Sequence, residues 1–219
     1  MKNLISVLLG MFTLVMPALA FAHHPLGGVP METFFHGLLS GIGHPILGFD
    51  HLFFVMIVGV AAIYSGWRHS SALIYVAAML VGCMMMSSGV NLPIKEVIIG
   101  ASLLILGVVI LSGKELTFPP ILFLFAVFGL FHGSAFGDSL VAQESGINGS
   151  IISGYLLGLA AIQYAIAIFS GWIVFSVFKA QDSGSVEPRI AGAMVAGVGL
   201  FLTLENIEGY VFEVLNLTS

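Results

Sequence analysis

Charge is what this chain has least of. Only 8% of its residues are Asp, Glu, Lys or Arg, against roughly a quarter in a soluble domain. That excludes an ordinary water-soluble globule. The few charges sum to −5 at pH 7 with no basic patch, so nothing points to nucleic acid. There is one cysteine, Cys83, which excludes an intrachain disulfide and any CxxC metal motif. It lies in an apolar run, where an inert packing thiol is expected. The chain has no Walker A loop, the phosphate cradle of nucleotide-driven pumps. It also lacks the ten-residue alternating segments of a membrane β-barrel.

What it does have is apolar length. Hydrophobic residues make up 58% of the chain, and the mean hydropathy is +1.10. The expected fold is all-α, a polytopic membrane helical bundle. Residues 1–22 read as a cleaved signal peptide, with Lys2 as the positive end, an apolar core over 4–15 and Ala20-Phe21-Ala22 as the cleavage site. An uncleaved first helix is the other reading of that run. Cleavage leaves His23 and His24 at the mature N-terminus. Residues 23–219 form the membrane domain. It opens on a short half-helix, 33–42, too short to span a bilayer that needs about 20 helical residues. Six transmembrane helices follow, at 45–65, 70–88, 93–111, 119–136, 150–178 and 190–215.

Lys and Arg set the orientation. With the mature N-terminus outside, Arg68, Lys114, Lys179 and Arg189 fall in cytoplasmic loops, and only Lys95 lies outside. The signal peptide demands the same topology. Both mature termini are therefore expected in the periplasm, with the protein in a bacterial inner membrane. Small-xxx-small pairs mark close helix packing: Gly37/Gly41, Gly133/Gly137, Gly154/Gly158 and Ala193/Gly197. Phe-His-Gly occurs twice, at 35–37 and 131–133, in non-equivalent places.

Ionisable groups are costly in hydrocarbon, so those within a span are functional candidates. His44-Pro45-Ile46-Leu47-Gly48-Phe49-Asp50-His51 puts two imidazoles and a carboxylate at the lip of the first span. Pro45 suits a first helical turn, with His44 near the N-cap. Residues seven apart share a helix face, so His44 and His51 point together. Asp50 points about a third of a turn away and is either a ligand or the acceptor that orients an imidazole. Gly48 leaves room beside His51. A second cluster, His132 to Asp138, sits in the outer part of the fourth span, and Glu205 and Glu208 in that of the sixth. His36 precedes them in the half-helix. Imidazole with carboxylate suits Ni, Zn, Co or Cu. His36, His44, Asp50, His51, His132, Asp138 and Glu205 are the candidate metal ligands. Met84, Met85 and Met86 read as packing residues, and His69 as a solvated loop residue. Gln163 is the other polar residue inside a span.

The pattern HPxxGxDH at 44–51 resembles the signature of the HupE/UreJ family of bacterial membrane proteins. His132-Gly133 matches a second family feature, and the layout is similar throughout. The family often carries further histidines after that pair; here those places hold Ser134 and Phe136. The resemblance implies nickel or cobalt uptake across the cytoplasmic membrane, with the motif His and Asp needed for transport. It also implies a functional link to a metalloenzyme or cobalamin pathway.

The function expected is that of a permease rather than an enzyme. Its substrate is a divalent ion, nickel or cobalt with zinc open; no cofactor is permanently bound; its surroundings are the lipid bilayer, with a homo-oligomer compatible. A competing expectation is an intramembrane zinc hydrolase with His44, His51 and His132 as a His₃ site. A third is a haem carrier with His51 and His132 as an axial pair.

Overall fold

The computed structural model describes residues 30–141 and 148–215. The signal-peptide segment and the His23–His24 pair lie outside them. All regular structure among the described residues is helical: α1 Phe34–Leu47, α2 Phe49–Tyr64, α3 Arg68–Ser87, α4 Lys95–Leu111, α5 Phe118–Val141, α6 Gly149–Trp172 with a π-turn at Ile173–Val177, and α7 Val186–Val214.

Helices α3, α5, α7 and α6 with its π-turn are each long and apolar enough to cross a membrane. The pair α1–α2 passes the same test only when its two halves are taken together, bent by 82°. Helix α4 has 17 residues, roughly 25 Å of rise. The expected boundaries hold to within a few residues, except that α5 continues five residues beyond 136.

The start of the first span needs correction. Pro45 does not open a helix; it lies buried in the last turn of α1, so the half-helix runs on from 42 to Leu47. His44 is accordingly in that last turn and caps nothing. Gly48 then takes an extended conformation (φ −84°, ψ 101°), and the chain turns into α2. The cause is local. Proline removes a helical hydrogen bond, and glycine has little helical preference. Asp50 stands in the first turn of α2, where a carboxylate favours helix initiation. His44 and His51 thus sit on two helices and share no helix face.

Helix α2 is the axis of the bundle, touching each of the other six helices. It is apolar and buried over most of its circumference, as a fully enclosed helix must be. The others pair off through glycines. A Cβ at Gly37 or Gly41 would strike the Ile151 or Tyr155 carbonyl of α6, and one at Gly154 or Gly158 the Phe34 or Leu38 carbonyl of α1. Gly133 meets Met79 of α3 in the same way. On α7 the expected pair is wrong. Gly197 has open space beside it, whereas Gly192 and Gly199 press on α4. The packed stripe of α7 is turned away from the Ala193/Gly197 pair.

Candidate functional site

The helix break places the chemistry. His51, in the first turn of α2, reaches His132 of α5, and their Nδ1 atoms are 2.9 Å apart. His132 is wholly buried and His51 nearly so. On its other edge His132 meets Ser102 of α4, Nε2 to Oγ 2.9 Å. Asp50 lies 3.8 Å from His51 Nε2 and is partly open to solvent. His44 looks onto His51 from α1, ring centroids 6.0 Å apart, and its Nδ1 contacts Ser139 Oγ at 2.9 Å and Tyr155 Oη at 3.2 Å. Phe136 lies against both rings, 4.2 Å from that of His51 and 5.1 Å from that of His44. Phe54 stacks on His132 at 4.1 Å and 15°.

The protons can be assigned along this row. Ser102 Oγ donates to Ile99 O at 2.7 Å, since a carbonyl only accepts. Its hydrogen is spent, so it must accept from His132 Nε2–H. His132 therefore turns a bare Nδ1 toward His51, and the short Nδ1–Nδ1 contact holds a proton from His51. For both nitrogens to be free, that proton must leave or move to His51 Nε2, beside Asp50. Ser102 and Asp50 are thus the groups that select the tautomers.

The remaining candidates are spread out. Asp138 is ion-paired with Lys95, Nζ to Oδ1 2.6 Å, and the ammonium occupies the place a cation would take. His36 is in the opening turn of α1, its Nδ1 accepting from Glu32 N at 3.2 Å. Eight residues of helix, roughly 12 Å of rise, separate it from His44. Glu205 is exposed on α7 and lines a shallow groove with Lys95, Glu96, Asn206 and Tyr210. Among the described residues, no three His, Cys, Asp or Glu side chains converge as a ready-made metal cage. His44, His51 and His132 therefore form no His₃ zinc site. A haem between His51 and His132 has no room either, since a porphyrin must lie between its axial nitrogens.

Several participants were not legible beforehand. Glu96, at the outer start of the expected third span, lies within electrostatic reach of His51, Asp50, Lys95 and Asp138. Ser102 and Tyr155 are ordinary span residues by sequence, and Ser139 lies beyond the expected fourth span. His69 is not a free loop residue: it opens α3, with Nδ1 3.0 Å from Tyr164 Oη and Nε2 accepting from Arg68 Nε at 3.1 Å.

Comparison with known proteins agrees with the motif. The family model described as HupE / UreJ protein matches residues 11–202. The chain is 27% identical over 193 residues to Protein HupE of Rhizobium leguminosarum bv. viciae, covering 86% of this chain and 92% of that one. No solved structure matches it.

Proposed function

The chain belongs to the HupE/UreJ family, which is associated with nickel and cobalt uptake, and from that premise we propose that it carries one of these dications inward across the cytoplasmic membrane. The observation that carries the reading is the His51–His132 contact, two Nδ1 atoms 2.9 Å apart at the buried end of a solvent-to-core series. Asp50, partly exposed, attracts the ion. His51 and His132 take it by giving up their shared proton. His44 and its partners Ser139 and Tyr155 flank the entrance. Two imidazoles without a closed cage suit a carrier, which must release what it binds. Zinc fits the same donors.

In this reading α2 to α7 make six crossings, with both mature termini in the periplasm. The membrane potential drives entry, at about 2.3 kcal/mol per elementary charge per 100 mV, and a dication doubles that. Protons compete with the ion for the imidazoles, so affinity falls as pH falls, by up to about tenfold per pH unit for each proton displaced.

The test is nickel and cobalt accumulation in cells lacking their own uptake systems, at matched membrane expression. Wild type accumulates metal, and His44→Ala, Asp50→Ala and His132→Ala do not. Three variants that accumulate as well as wild type would sink the assignment.

A further inference from the structure

Beneath the histidine pair lies a second buried polar pair that the site above does not use. Tyr75 of α3 donates from Oη to Gln163 Oε1 of α6 at 2.6 Å. Both side chains are fully buried. Gln163 Nε2 is also buried and has no partner. An amide can be turned over, but then Nε2 donates to Tyr75 Oη, the carbonyl oxygen is left over and the phenol hydrogen loses its acceptor. Inside a membrane, lipid cannot satisfy either group, and an orphaned buried polar atom calls for an explanation.

Phe54 separates this pair from the histidines. Its ring is fully buried. One side stacks on His132, and an edge meets the Tyr75 ring at 5.6 Å. The levels agree with a path. His132 lies nine residues from the Val141 end of α5, and Ser102 seven from the Lys95 end of α4, roughly 10 to 14 Å in by helical rise. Tyr75 lies seven residues from the Arg68 end of α3, roughly 10 Å in from the opposite side, and Gln163 fourteen from the Val177 end, at the middle of the α6 span. The two polar pairs therefore sit at successive depths, with one aromatic ring between them.

We infer that Tyr75 and Gln163 form a second, oxygen-donor station for the transported dication, and that the Phe54 ring is the gate between it and the His51–His132 pair. This rests on the transport reading above. The donor types suit the order. Imidazole holds nickel or cobalt more firmly than a neutral amide or phenol oxygen does, so the inner station accepts the ion and passes it on. With the station empty the Gln163 carbonyl accepts from Tyr75; when it is filled the amide turns over and offers that oxygen to the ion. An apolar ring in a narrow path closes it to water between transfers.

The experiment uses the full chain, purified and in proteoliposomes under a set potential, with nickel and cobalt ions as probes. Gln163→Met removes the amide and keeps the length; Tyr75→Phe removes one hydroxyl and keeps the ring. Both should bind nickel within about twofold of wild type, because each keeps the ring or the chain length and leaves Phe54, the ring between Tyr75 and His132, in place. Their uptake should fall by about tenfold or more, the range seen when a supporting polar group is lost. Phe54→Ala should bind nickel and leak protons. Wild-type uptake in both Gln163→Met and Tyr75→Phe overturns the station, as does joint loss of binding and uptake, which marks a structural role. If Gln163→Met fails to fold, Tyr75→Phe carries the decision. Uptake abolished in His132→Ala but intact in both inner variants overturns the station alone. Wild-type protein that takes up neither ion overturns the transport reading and the station with it.

Discussion

At the scale of single residues, the site depends on who holds which proton. Ser102 does not stand out in the sequence, yet its hydroxyl fixes the tautomer of His132 by spending its own hydrogen on Ile99 O. Ser102→Ala should lower nickel affinity by about 10- to 100-fold, as loss of a ligand-orienting partner does, while the helical circular dichroism spectrum stays unchanged. Isothermal titration checks it; unchanged affinity would show that His132 needs no such partner. Gly48 is as constrained as the sequence suggests. A Cβ there would come within 3.0 Å of His51 Cδ2 and 3.3 Å of Asp50 Oδ1. The histidines themselves were legible, because an imidazole inside an apolar run stands out. Ser102, Ser139 and Tyr155 were not, since hydroxyls are common throughout the chain and only proximity gives them a role.

At the scale of helices, glycine spacing foretold close packing well and its direction less well. The Gly37/Gly41 and Gly154/Gly158 pairs lock α1 onto α6, and that crossing brings Tyr155 to His44. Gly41→Leu should cost about 1–3 kcal/mol or more through overpacking and disturb the entrance as well. Gly197→Leu, with open space around the residue, should stay within about 0.5 kcal/mol of wild type. Thermal unfolding in detergent reads both, and a Gly197 variant as damaged as the Gly41 one would refute the packing of α7 described here. Small-xxx-small pairs are too frequent in membrane helices for spacing alone to say which stripe faces a partner. The Pro45 reading failed for a related reason. Proline fits a first turn, yet here it closes α1, and what separates the two cases is the extended Gly48 and the turn into α2.

At the scale of the molecule, the proposed six-crossing topology makes its own prediction. Cys83 is the single, buried cysteine, so a Cys83→Ala background is free of thiols. Lys179→Cys should then react with a membrane-impermeant maleimide only from the cytoplasmic side, and Asn91→Cys only from the periplasmic side; the reverse pattern would invert the proposed transport direction. The sequence by itself determined the helical membrane class, the family and the candidate imidazoles, because composition, hydrophobic run length and a spaced motif are properties of the chain read in one dimension. Tertiary structure decided that α1 and α2 meet at 82°, that His51 faces His132, and that Asp138 answers to Lys95 and Glu205 to the groove beside Glu96. Those pairings join residues tens of positions apart on different helices. Their partners depend on how each helix is rotated about its axis, which packing fixes and local sequence does not.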